Sequence, residues 1–219
     1  MPDAPRLRGV IFDMDGVLIG SEPTIARAAS QMFAEKGYTV PTSAYAPFIG
    51  MGEDKILSGA AEAQGIPLDP VKDKARTYAI YLELIEPGMP PLPGVVDFLA
   101  ECRRRGLKRA IASSADAVKV AANLKAIGLA KSDFDAIVDG EQAKRKKPAP
   151  DIFLEAARQL GLAAEHCLVV EDAIAGVEAA KAAGSRCLAV TTSFPADRLT
   201  RADWVVADLA HAPAAALDW

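Results

Sequence analysis

Six short apolar runs bounded by turn formers, at residues 9–12, 109–112, 134–138, 167–170, 186–190 and 204–206, punctuate a chain of 219 residues. Between most of them lie segments with apolar residues every three to four positions, at 95–105, 117–127, 151–160 and 174–183. The first pattern is that of buried strands, the second that of amphipathic helices. Strand alternating with helix forces parallel pairing, because each helix must carry the chain back across a sheet face. The expected fold is α/β: a doubly wound parallel sheet with a Rossmann-like core.

The alternation fails between residues 21 and 86, where only helical patterns occur, at 24–36, 54–63 and 70–85. Helix-stopping segments bracket that stretch: Ile19-Gly20-Ser21-Glu22-Pro23 before it and Pro87-Gly88-Met89-Pro90-Pro91-Leu92-Pro93-Gly94 after it. The expected organisation is a Rossmann-like core of residues 1–19 and 92–219, with an all-helical cap of residues 20–91 inserted after the first strand.

Composition narrows the class of partner. With 51% hydrophobic and 25% charged residues the chain has the means to build a core. Lys and Arg number 25 against 29 Asp and Glu, a net charge of -4 without a long basic block, which argues against nucleic acid and anionic membranes. Cys102, Cys167 and Cys187 fit neither a disulfide framework nor a zinc site, so a reducing compartment is expected. Residues 1–9 hold no apolar run, and no segment approaches the roughly 20 apolar residues of a membrane span. A cytoplasmic protein, monomeric or weakly dimeric, is the expectation.

Four motifs fall at strand ends. The first strand runs into Asp13-Met14-Asp15-Gly16, delivering two carboxylates and a glycine to the sheet edge where doubly wound folds bind ligands. A turn would use one Asp with Gly, but it does not account for the other Asp at the strand end. The second strand meets Ser113 and Ser114, a hydroxyl and free amides suited to a phosphate oxygen, although an ordinary helix N-cap uses the same residues. Next comes Lys144-Arg145-Lys146-Lys147-Pro148-Ala149-Pro150, where Pro148 restricts the loop that aims Lys147 and the other three cations read as solvated. Last, the strand 167–170 ends in Glu171-Asp172; the helix dipole accounts for Asp172 as an N-cap but leaves Glu171 unexplained.

Doubly wound sheets reverse direction beside the first strand, so Asp13 and Asp172 are expected to face one crevice. Three carboxylates with no His or Cys beside them form an oxygen-only site suited to Mg2+. If the ligand is a phosphate ester, Mg2+ and Lys147 are needed to overcome its repulsion from the acids. Asp13 is then free to act as nucleophile, and Asp15 as the acid and base.

These residues, in this order, resemble the haloacid dehalogenase superfamily, in the subfamily with a small helical cap between motifs one and two. The resemblance covers nearly the whole chain. It implies a Mg2+-dependent phosphatase acting on a small phosphorylated metabolite, with Asp13 as nucleophile and metal ligand and Asp15 as acid and base through its side chain and metal ligand through its carbonyl. It further implies Ser113 and Lys147 on phosphate, the backbone amides of Met14 and Ser114 in the phosphate cradle, Asp172 on the metal and Glu171 as an outer or water-mediated ligand. Within the superfamily the chain is similar to the branch of beta-phosphoglucomutases and small-phosphate phosphatases. It departs from the mutases: residues 20–25 hold no His, the only histidines being His166 and His211, and Gly50-Met51-Gly52-Glu53-Asp54-Lys55 presents acids where a mutase presents a sugar-phosphate-binding Arg.

Sugar phosphomutase and a catalytically weak phosphoacceptor or sensor module stand as alternatives. A dinucleotide-binding module is disfavoured, because the first strand leads into Asp-x-Asp-Gly instead of a glycine-rich turn. Glu53 is a candidate substrate contact, although acids after a Gly-rich turn commonly just begin a helix. Phe48 and Met51 read as cap wall, Trp204 as packing and Trp219 as a frayed terminus.

Overall fold

The computed structural model describes residues 6–219. Residues 1–5, which hold part of the stretch read for a leader and the start of the expected core, lie outside the described residues. Six strands, β1 (Gly9–Phe12), β2 (Lys108–Ala112), β3 (Ala136–Val138), β4 (Cys167–Glu171), β5 (Arg186–Val190) and β6 (Trp204–Val206), form one sheet in the order β3-β2-β1-β4-β5-β6. Every pairing is parallel.

Parallel strands are covered on both faces, which is why β1 is buried along its whole length. Its residues alternate between two layers. Val10 and Phe12 pack with Phe98, Leu99 and Leu124 from α4 (Val95–Arg104) and α5 (Ala117–Ala126). Ile11 packs on the opposite face with Phe153, Ala156 and Val177 from α6 (Asp151–Leu160) and α7 (Ile174–Ala182). The stripe on α6, Ile152, Phe153, Ala156, Ala157 and Leu160, has the spacing of a single helical face.

The remaining helices, α1 (Glu22–Glu35), α2 (Glu53–Gln64) and α3 (Lys72–Ile85), bury a third cluster that includes Met32, Phe33, Leu57 and Tyr81. A 3-10 helix, Thr42–Phe48, completes it. Gly59 is required in α2, because a Cβ there would overlap the Phe48 ring. Helix α3 starts two residues later than its apolar period suggests, since Asp69 Oδ1 accepts from the N–H groups of Val71 and Lys72. The chain leaves and rejoins the sheet layer side by side: the Leu92 N–H donates to the Leu18 carbonyl at 3.1 Å.

Trp219 is not frayed. Its carbonyl accepts from the Leu7 N–H at 2.7 Å, its indole donates to the Ala216 carbonyl, and the Arg186 guanidinium lies 4.2 Å from its ring centroid. Among the described residues no helix is long and apolar enough to cross a membrane.

Candidate active site

The winding direction reverses between β1 and β4, and the register Phe12↔Val170 brings the residues that follow both strands to one edge. Asp13 continues β1, its N–H donating to the Val170 carbonyl at 2.9 Å. Gly16, at φ 77°, then turns the chain back, and its N–H donates to the Ile19 carbonyl. A Cβ on Gly16 would overlap the Asp172 carboxylate, so the turn passes this acid only as glycine.

Carboxylate oxygens of Asp13, Glu171 and Asp172 lie within 4.8 Å of one another, and all three residues are buried. The loop before α6 aims Lys147 into this cluster. Its Nζ donates to Asp13 Oδ1 at 2.7 Å and to Glu171 Oε1, and sits 5.0 Å from the Phe153 ring centroid. Glu171 Oε2 accepts from the N–H groups of Asp172 and Ala173, each at 2.8 Å. Gly176 makes room for it, because a Cβ there would collide with the carboxylate. Asp172 accepts from the Ser193 hydroxyl.

Three buried acids face one ammonium. Burial, with Glu171 adding to it and Lys147 opposing it, pushes the Asp13 carboxyl up to about 8. Burial and the neighbouring acids Glu171 and Asp13 also push Asp172 well above the carboxylate range. Lys147 is raised despite burial, because Asp13 and Glu171 outweigh the desolvation. The cluster is thus short of positive charge.

Asp15 belongs to a second group. Its Oδ1 accepts from Lys119 Nζ at 2.9 Å, Asn123 Nδ2 at 3.0 Å and the Ser21 hydroxyl. Lys119 also donates to Glu53 Oε1 at 2.8 Å, and the Tyr78 hydroxyl to Glu53 Oε2 at 3.0 Å. Tyr81 closes the network by donating to Asn123 Oδ1 at 2.5 Å. Glu53 therefore both begins α2 and joins it to the sheet layer. Glu53→Gln is expected to destabilise the protein by about 1–3 kcal/mol, since it weakens one arm of a buried network. That corresponds to a fall of roughly 2–12 °C in Tm. A variant melting with the wild type would show that the carboxylate is not engaged in solution.

Ser113 is buried, its Oγ accepting from the Ala115 N–H at 3.1 Å. Ser114 lines a cavity of about 320 Å3 together with Asp13, Asp15, Lys119, Glu22 and Glu53. Met14, between Asp13 and Asp15, is fully buried in the core cluster beneath the site. Lys119, Asn123, Tyr78 and Glu22 escaped sequence reasoning. One signal was available: Lys119 and Asn123 lie on the same stripe of α5 as the buried Val120 and Leu124, an unusual place for polar groups.

A parallel sheet, an acid cluster at its switch point and an ammonium held against that cluster describe an oxygen-only site suited to a hard cation. Residues 7–184 match the haloacid dehalogenase-like hydrolases, and the chain belongs to that family. With curated phosphatases among its relatives along nearly its full length, it is a phosphoric monoester hydrolase. Hexitol phosphatase A of Escherichia coli (strain K12) is 35% identical over 93% of this chain and 92% of its own. Protein SUPPRESSOR OF QUENCHING 1, chloroplastic, of Arabidopsis thaliana is 47% identical over 88% of this chain, which spans only 18% of that much longer protein. The structure of CbbY from Rhodobacter sphaeroides in complex with phosphate superposes with a TM-score of 0.89 at 28% identity, covering 97% of this chain and 100% of that one.

Proposed function

We propose that the protein is a Mg2+-dependent phosphatase of a small phosphorylated metabolite, working through a phosphoaspartate on Asp13. The observation that carries the reading is the convergence of the Asp13, Glu171 and Asp172 carboxylates within 4.8 Å, with Lys147 Nζ 2.7 Å from Asp13.

The donor set fits a hard divalent cation: it is oxygen-only, buried and deficient in positive charge. Asp13, Asp172 and the Asp15 carbonyl would hold Mg2+, whose charge offsets that of the acids and the incoming phosphate. Without it, two like charges about 4 Å apart at an effective dielectric near 20 repel by roughly 4 kcal/mol. That alone is about a thousandfold in rate. Both oxygens of Glu171 are engaged by protein donors, so we assign it to orienting Lys147 and to reaching the ion through water.

In the first half-reaction an Asp13 oxygen attacks phosphorus and the ester P–O bond breaks. The Asp15 carboxyl gives its proton to the departing oxygen. Three donors converge on Asp15 Oδ1, which assigns the transferred proton to Oδ2. In the second half-reaction Asp15 takes a proton from water as that water attacks phosphorus, releasing inorganic phosphate and restoring Asp13. Ser113, Lys147 and the amides of Met14 and Ser114 orient the phosphoryl oxygens. Residues 20–91 act as the cap over the core of residues 1–19 and 92–219, with Glu53 in the wall around the leaving group. Three free, buried cysteines support a reducing compartment such as the cytoplasm.

Mg2+-dependent release of phosphate from a panel of phosphorylated metabolites tests the activity, and loss of release on chelation is the expected control. A second readout needs no substrate. In the metal-free protein the raised Asp13 carboxyl contributes stability that is complete below about pH 4 and lost as pH rises through about 8. Metal-free Tm should therefore fall between pH 5 and 8, while Mg2+ should raise Tm more at pH 8 than at pH 5.5. At a hundredfold excess over Kd the gain is about 2.7 kcal/mol, or roughly 5–10 °C. An Mg2+ effect equal at both pH values would argue against binding by these acids.

A further inference from the structure

The walls of the cavity beside Asp13 differ sharply from its floor. Resting on the phosphatase reading above, we propose that the leaving group of the natural substrate is uncharged and apolar along one flank, so that the substrate carries a single phosphate. The floor holds Asp13 and Asp15, whereas Pro23, Ile25, Ala26, Tyr45, Ile49 and Ile56 build an apolar wall. Ile25, Tyr45 and Ile56 are buried, so this wall is continuous with the packing among α1, the 3-10 helix and α2.

Charge points the same way. The ionisable residues lining the cavity are Asp13, Asp15, Glu22, Glu53 and Lys119, four acids and one base. The base is already committed, at 2.9 Å to Asp15 and 2.8 Å to Glu53. A second phosphate on the leaving group would enter a cavity whose lining adds Glu22 and Glu53 to the reacting acids and holds no uncommitted cation to receive it. The uncharged polar side chains along the cavity are Thr42 and Ser43, both exposed, with Tyr45 and Ser114, which suit one or two hydroxyls on the leaving group. A volume of about 320 Å3 keeps the whole group small.

The test compares three four-carbon primary esters, n-butyl phosphate, erythritol 4-phosphate and butane-1,4-diol bisphosphate, in the full chain with Mg2+. kcat/KM for butyl phosphate is expected to exceed that for the bisphosphate at least tenfold and to be no lower than that for the polyol. A bisphosphate hydrolysed as well as the butyl ester overturns the proposal, as does a polyol preferred more than tenfold or failure to hydrolyse any of the three. Placing a cation in the wall should reverse the order. Ile49→Lys, at a half-buried position, and Ile56→Lys, at a buried one, are each expected to shift the bisphosphate-to-butyl ratio at least tenfold upward. An unchanged ratio in a variant that melts cooperatively overturns the proposal. The phosphatase reading fails separately, if p-nitrophenyl phosphate is hydrolysed equally by the wild type and by Asp13→Asn.

Discussion

Asp13→Asn is expected to abolish phosphate release while leaving a protein at least as stable as the wild type. The amide matches the carboxylate in shape, and its oxygen still accepts from Lys147, yet it is no longer a competent nucleophile. Removing the attacking residue of a catalytic constellation costs on the order of 10^4–10^6 in kcat. The stability change has the opposite sign, because burial already holds this carboxyl up to about 8 and the substitution deletes one of three crowded acids. Melting in the absence of metal should show the variant gaining most at pH 8 and least at pH 5, where the native acid is itself protonated. Residual turnover within tenfold of the wild type would remove Asp13 from the nucleophile's role.

Lys147→Met is expected to lose both activity and stability. The thioether, one atom shorter, keeps most of the side chain's packing near Phe153, but strips Asp13 and Glu171 of their shared partner. Removing one member of a buried ion pair costs about 3–5 kcal/mol, equivalent to a fall of roughly 6–20 °C in Tm. The deficit should shrink toward pH 6, as the abandoned acids take up protons, and should shrink again on adding Mg2+. Loss of a charge aimed at the phosphoryl oxygens should lower kcat by about 10^2–10^3. Comparison with Lys147→Arg, which keeps the charge, separates electrostatics from shape. A methionine variant that melts like the wild type at pH 8 would mean that the acids are already neutral there.

The sheet and the meeting of Asp13 with Asp172 were legible because both follow from periodicity and from one topological rule. Parallel strands buried on both faces announce themselves as apolar runs, and the acids sit at their carboxyl ends. The pairing of Lys119 with Glu53 was not legible, since those residues lie 66 positions apart and meet only through the packing of helices whose relative placement no local pattern encodes. The 3-10 helix Thr42–Phe48 escaped for another reason: flanked by Pro41 and containing Pro47, it carries no 3.6-residue period to detect. Trp219 looked like a loose end because its partners, Leu7 and Arg186, come from distant parts of the chain.

The hydrogen bond between the Leu92 N–H and the Leu18 carbonyl gives the molecule a modular seam. Everything threaded between those two residues departs from and comes back to one spot, so the sheet does not register how long the excursion is. A replacement segment joined at that spot would leave Asp13 and Asp172 where the sheet holds them, but it would have to supply anew the groups that Ser21 and Glu53 bring to Asp15 and Lys119.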